Sequence, residues 1–144
     1  MTTGSRGVHV VVPLKKKDSF DDVRDFAKEI ADYLVELYPK KLTVKMRKSE
    51  RGKKVFVDYL RNAWSSTAVA PYAVRAKESA PIATPIRWKE LSGLSSAQKY
   101  TIKNIKARIS KTGDIWKDIE KKAVSLSQAR KAFENLQKNK EKKQ

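Results

Sequence analysis

Pro71, Pro81 and Pro85 fall close together in mid-chain and limit what this sequence can build. A proline offers no amide hydrogen to a β-ladder and fixes its own φ, so residues 71–85 are expected to form an extended, wandering segment draped over a sheet. They separate a mixed front part from a part that, from Trp88 onward, has the texture of helices. With 144 residues there is material for one modest core.

In the front part, residues 8–14 are β-branched and almost wholly apolar, closed by Pro13, a pattern that predicts a central strand covered on both faces. Ser19 with Asp22 three residues on has the spacing of a capping box, and Val23, Phe26, Ala27, Ile30, Leu34, Leu37 and Tyr38 make one apolar stripe up to Pro39. Residues 42–46 and 54–59 alternate as strands do, and Gly52 in the polar stretch between them predicts a hairpin. Residues 67–70 offer a further strand. Behind the prolines, Ile102, Ile105 and Ile109 share a helical face, Gly113 breaks it, and Leu126, Ala129, Phe133 and Leu136 form another stripe before a Lys-rich end, residues 138–144, expected to fray.

Lys and Arg number 33 against 16 Asp and Glu, a formal charge of +17 that repels itself unless a polyanion is near, and nucleic acid is the leading partner. Lysine-rich helix faces that are simply solvated are the plainer reading of part of that charge. The sequence has no cysteine and one histidine, which excludes thiolate metal sites, disulfides and sites built from several imidazoles. No apolar run is as long as a spanning helix and no apolar leader follows Met1, so a soluble, cytoplasmic, nucleoid-associated protein without a membrane partner is expected.

Two short runs carry the chemistry. Thr2-Thr3-Gly4-Ser5-Arg6-Gly7-Val8-His9 combines glycines, which let backbone amides approach a ligand, with the Thr3 and Ser5 hydroxyls and the Arg6 guanidinium; such donors converge on phosphate oxygens. An ordinary turn is the bland alternative, and His9 alone on an apolar strand is more often a satisfied core residue. Val55-Phe56-Val57-Asp58 ends a strand in a carboxylate. Asp58 either pairs with Arg51 or Lys54 across the turn, or is the hard oxygen ligand by which Mg²⁺ or Mn²⁺ holds a nucleoside triphosphate. Arg51 and Arg75 are further candidates to grip phosphate, since arginine forks bidentately onto it.

On these residues the chain resembles the polymerase/primase domain of bacterial DNA ligase D, a branch of the archaeo-eukaryotic primases. Residues 3–9 are similar to the second motif of that family, residues 55–58 to its third, Ala70-Pro71-Tyr72-Ala73-Val74-Arg75 to its Ala-Pro-Tyr-x-x-Arg, and residues 83–91 to the segment that follows. Thr3 stands where the family usually has serine and Arg61 where a glutamine can occur.

The resemblance implies an α+β fold, an antiparallel-rich sheet flanked by helices, primase-polymerase-like and partial. Residues 1–91 would be the catalytic-type portion and residues 92–144 a basic helical C-terminal extension. It implies template-directed nucleotidyl transfer to DNA ends in non-homologous end joining, with Mn²⁺ or Mg²⁺. Thr3, Ser5, Arg6 and His9 would lie at the nucleotide phosphates, Arg51 and Arg75 would neutralise triphosphate charge, Arg61 would lie beside the nucleotide, and Asp58 would be a metal ligand, catalytic together with His9. The family's first motif, two aspartates one residue apart on a strand, lies upstream of the second, where this sequence begins. A companion polypeptide supplying that motif, a DNA ligase or an end-binding protein are the expected partners besides DNA and nucleotide. A non-catalytic basic nucleic-acid-binding protein derived from the same fold is the alternative.

Overall fold

The computed structural model describes residues 1–141. The chain folds into two compact units, one made of Met1–Pro13 with Ala68–Ala123, the other of Leu14–Thr67 with Val124–Gln144.

The first unit is organised around the prolines. Pro81, Ile82, Ala83, Thr84 and Pro85 are, with Thr2, its most buried residues, so the segment expected to drape over a sheet is instead the centre of the unit. The reason is a pairing pattern that asks nothing of the missing proline amides. The Pro81 carbonyl accepts from the Arg75 amide at 2.8 Å, while the intervening amides of Ile82 and Ala83 donate to opposite sides, to Tyr100 and Ala73. The amides of Thr2 and Thr84 each donate to the other's carbonyl, at 2.9 and 3.1 Å, and the fully buried Thr2 hydroxyl joins the same exchange. Antiparallel bridges join Thr2 to Val8, Val74 to Ile82 and Pro81 to Thr101.

Beyond this knot, a 3₁₀ turn at Trp88–Glu90 and α2, Ile105–Thr112, are locked by one ion pair: Arg108 forks onto both Glu90 carboxylate oxygens at 2.6 and 3.1 Å and donates to the Tyr100 hydroxyl and the Pro85 carbonyl. That pair holds the Glu90 carboxyl down at about 2, chiefly through the Arg108 hydrogen bond. Gly113 ends α2 at φ 65°, where the left-handed backbone favours glycine, as its position behind the isoleucines implied. Ile102, expected on the helix, precedes it and is more than half exposed.

The second unit rests on α1, Phe20–Leu37, which begins as its sequence dictates: Ser19 accepts from the Asp22 amide, and Asp22 reaches back to the Ser19 amide and hydroxyl. Phe26 and Ala31 are buried on its inner face, where Phe133 of α3, Leu126–Glu141, packs edge-on against Phe26 and Tyr33 at 5.8 and 5.2 Å between ring centres. Beside them Arg130 donates from its Nη1 to both Glu29 carboxylate oxygens, at 2.8 and 2.9 Å. Helical structure continues to Glu141, past the point where fraying was expected; residues 142–144 lie outside the described residues.

Regular sheet among the described residues is small and parallel: β1, Leu42–Thr43, pairs with β2, Val55–Phe56. The expected hairpin and antiparallel-rich sheet are therefore corrected. Between the two strands, the chain makes a 3₁₀ turn at Lys48–Glu50, and Arg51 pins it by donating to the carbonyls of Lys45 and Met46 while its guanidinium lies 3.8 Å from the Phe56 ring centre. That detour turns the chain fully, so the second strand re-enters in the direction of the first. Residues 67–70 form no strand. Residues 8–14, expected as a central strand, carry only the bridges of Val8 and Leu14, and Val8, Val10, Val11 and Val12 are exposed.

Candidate functional site

Residues 3–7 close into a tight loop because the Thr3 side chain spans it. The Thr3 hydroxyl donates to the Gly7 carbonyl at 2.9 Å and accepts from the amides of Ser5 and Gly7, and the Thr3 amide also donates to the Gly7 carbonyl. The Thr3 hydroxyl is thus used to shape the loop. The Ser5 hydroxyl and the Arg6 guanidinium make no hydrogen bond or ion pair among the described residues, and Arg6 is exposed. Serine in place of Thr3 would keep these bonds.

Arg75 comes up under the loop, in the same unit. Its guanidinium donates to the Thr3 carbonyl at 3.4 Å, and its stem packs so close to Gly4 that a Cβ there would lie 2.8 Å from the Arg75 Cγ and 3.1 Å from the backbone at Ile82 and Ala83. Gly4 also sits at φ 62°, so both backbone conformation and space require glycine at this point. Gln98 holds the loop from another side by donating to the Ser5 carbonyl at 3.1 Å. Nothing in the sequence singles out Gln98, because its partner lies 93 residues away.

Arg75 owes its position to the turn before it. Pro71 and Tyr72 occupy the corners of a β-turn closed by the Ala73 amide on the Ala70 carbonyl, with Tyr72 at φ 63°. A tyrosine is held in that conformation by two bonds, its amide to the Ala83 carbonyl at 2.7 Å and its hydroxyl to Asp114 at 2.7 Å. Burial first, then the Asp114 carboxylate, pushes the Tyr72 hydroxyl up to about 12.

His9 follows the loop, pairing its backbone with Met1: the His9 amide donates to the Met1 carbonyl and the Met1 amino group to the His9 carbonyl. Its half-buried ring lines a cavity of about 120 Å³ together with Val8, Val10, Val11, Trp88 and Trp116. The first unit therefore gathers Thr3, Ser5, Arg6, His9 and Arg75.

Arg51, Asp58 and Arg61 belong to the second unit. Asp58 lies two residues beyond β2, exposed, and accepts from the Leu60 amide at 3.0 Å, which starts the 3₁₀ turn Leu60–Asn62 on which Arg61 is exposed. Asp58 makes no salt bridge with Arg51 or Lys54 among the described residues. Arg51 spends its Nε and Nη2 on backbone carbonyls, leaving Nη1 for any ligand. Among the described residues no three of His, Cys, Asp or Glu come together as a metal site. A pair of divalent ions needs several converging carboxylates, so the residues present do not by themselves fit one.

Residues 1–116 match the family model described as LigD, primase-polymerase domain. The chain is 35% identical over 119 residues to the multifunctional non-homologous end joining protein LigD of Pseudomonas aeruginosa, covering 81% of this chain and 14% of that protein. It is 29% identical over 112 residues to the bifunctional non-homologous end joining protein LigD of Bacillus subtilis, covering 77% and 18%. Among solved structures it is similar to the polymerase domain from Mycobacterium tuberculosis Ligase D in complex with DNA, with a TM-score of 0.69 and 32% identity, covering 78% of this chain and 39% of that one. The chain thus spans less than a fifth of these curated relatives and about two fifths of the solved domain.

Proposed function

Because this chain belongs to the LigD primase-polymerase domain family, we propose that it is the phosphate-gripping portion of a polymerase that adds nucleotides to DNA ends in non-homologous end joining. The observation that carries this reading is the loop of residues 3–7, closed by Thr3 and seated on Arg75. A preorganised loop offering the Ser5 hydroxyl and the Arg6 guanidinium, with a second guanidinium at its base, suits the oxygens of a nucleoside triphosphate. Donors fixed in advance cost no reorganisation when charge develops on the departing pyrophosphate. Gln98 and Gly4 act on the loop's shape, and His9 follows it, paired through its backbone with Met1.

In this reading Asp58 contributes one carboxylate toward Mn²⁺ or Mg²⁺, and Arg51 and Arg61 stand on the same unit as additional positive charge. A metal ion would supply charge neutralisation and activation of the attacking hydroxyl. The described residues do not complete its ligand set, so in this reading the remaining carboxylates come from outside them, and the residues present bind and orient. The formal charge of +17 serves the DNA backbone, and the solved relative was obtained in complex with DNA. A cytoplasmic, nucleoid-associated location and a ligase or end-binding partner fit this role.

The test is equilibrium binding of a nucleoside triphosphate with and without Mn²⁺. Asp58→Ala should remove the Mn²⁺ dependence and His9→Ala should weaken binding; equal affinity in both variants and the parent chain would dismiss the polymerase reading. A second reading, a non-catalytic nucleic-acid binder, is favoured by the charge alone. It requires DNA affinity that ignores both substitutions and a log affinity that falls by about 0.9 per phosphate neutralised for each unit of log salt.

A further inference from the structure

Two aromatic rings of the second unit stand together in water. Trp64 is 76% exposed and Phe20, the first residue of α1, is 53% exposed, yet their ring centres lie 5.3 Å apart with the planes at 72°, an edge-on contact. Apolar residues scattered singly over a surface are ordinary, whereas a fixed pair of large rings kept out of the core is not. The backbone also bends to present the indole. Trp64 and Ser65 are the corners of a β-turn closed by the Ser66 amide on the Ala63 carbonyl at 3.1 Å, and Ser65 sits at φ 59°, a left-handed conformation unfavourable for serine. This turn continues a segment fixed from Asp58 onward. The Asp58 carboxylate accepts from the Leu60 amide, the Asn62 side chain donates to the Tyr59 carbonyl, and the 3₁₀ turn Leu60–Asn62 packs on α1. An edge-on contact covers at most one face of the indole, so another face is open to a ligand.

The charge around the pair selects its ligand. Arg24 lies one helical turn beyond Phe20 on the same face of α1, and the exposed Arg61 precedes Trp64 by three residues. Neither guanidinium makes an ion pair or hydrogen bond among the described residues. Lys15, Lys16 and Lys17, all exposed, lead into the helix. Of the acids on the first turns of α1, Asp22 is turned back onto the Ser19 cap, and Asp21 and Asp25 project about 100° and 140° round the helix from Phe20. Free cations beside an open aromatic face match phosphates joined to unpaired bases, the two features of a single nucleic-acid strand; bases stacked in a duplex have no free face. We propose that Trp64, held by Phe20, stacks on an unpaired base of single-stranded DNA whose phosphates lie along Arg24 and Arg61. The choice of DNA as the polymer rests on the functional reading given above, to which the stacking site is added. The site gives the chain a preference for unpaired over duplex DNA that a charge of +17 does not provide.

The test measures binding of the full chain to an oligothymidine strand, to the same strand with abasic sugars in place of its nucleosides, and to a blunt duplex of equal length. The parent chain should bind the base-bearing strand about tenfold more tightly than the abasic one, with quenching of tryptophan emission. Trp64→Ala should erase that difference and leave duplex affinity unchanged. Trp64→Phe should keep most of the affinity while the quenching disappears, since Trp88 and Trp116 belong to the other unit. Arg24→Gln should lower the slope of log affinity against log salt by about 0.7, the share of one single-strand phosphate. Equal binding of the abasic and base-bearing strands by the parent chain overturns the proposal. So does a Trp64→Ala loss that is the same for duplex and single strand, quenching that survives in Trp64→Phe, or a salt slope unmoved in Arg24→Gln. The abasic comparison and Trp64→Phe decide the matter without relying on the folding of Trp64→Ala. Nucleoside triphosphate binding by the parent chain separates the two readings: its absence with the abasic difference intact removes the functional reading alone, and its presence without that difference removes the stacking site alone.

Discussion

Replacing Glu90 with glutamine tests whether one ion pair holds the first unit together. Arg108 is the anchor: its side chain is 11% exposed and it bonds to Glu90, Tyr100 and Pro85. Glutamine keeps the length and one acceptor but leaves the guanidinium without its counter-charge, the costly outcome for a mostly buried cation. The carboxyl lies at about 2 against an ordinary 4.5, which corresponds to about 3 kcal/mol at neutral pH, discounted to about 2 because Glu90 keeps 23% of its side-chain surface in water. The sign follows from the depressed folded value: the contribution is complete well above pH 4.5 and drains away as pH falls from there through about 2. Urea unfolding of the parent chain and Glu90→Gln at pH 7 and pH 3 should therefore give a difference of about 2 kcal/mol that shrinks to about 1 kcal/mol or less in acid. An equal difference at both pH values, or one under about 0.5 kcal/mol at pH 7, would refute the claim that this ion pair fixes the Trp88 segment.

Gly4→Ala should destabilise the chain by about 2 kcal/mol or more in urea unfolding, since it adds a Cβ 2.8 Å from the Arg75 Cγ at positive φ; a neutral effect would mean that the loop is not seated on Arg75. Tyr72→Phe should cost about 1 kcal/mol through loss of the Asp114 bond. In an absorbance titration, one of the five tyrosines should ionise late, near 12, and disappear in that variant. Because folding raises this group from 10, its contribution is whole below pH 10 and lost as pH climbs toward 12. Arg75→Met should leave the fold intact by circular dichroism and weaken nucleoside triphosphate binding at least tenfold; parent-like affinity would remove Arg75 from the site.

What was legible in the sequence was local. The Ser19–Asp22 box and the stop at Gly113 each depend on residues within a turn or two of one another, and each forms as read; the stripe of α1 forms in part, with Phe26 buried but Tyr38 exposed at the helix end and Ala31, outside the stripe, buried as well. The family was legible for a related reason, since motifs such as residues 3–9 and 70–75 are contiguous. Long-range choices were not. The parallel pairing of β1 and β2 is decided by Arg51 folding back on the carbonyls of Lys45 and Met46, and alternation of apolar residues reads the same for either direction. The burial of residues 81–85 depends on Thr2, Ala73 and Tyr100, distant partners that proline counting does not reveal. In the candidate site, Thr3, Gly4, Arg6 and Arg75 were visible as residue types. That Thr3 shapes the loop, and that Gln98 braces it, required the folded chain.

The most direct measurement of the phosphate grip is a nitrogen-15 NMR titration of the full chain with a nucleoside triphosphate. The account predicts that the largest shifts fall on the amides of residues 4–7 and on the Arg75 side-chain Nε, saturating together. Shifts spread over the lysine-rich helices, with residues 4–7 and Arg75 unmoved, would contradict it.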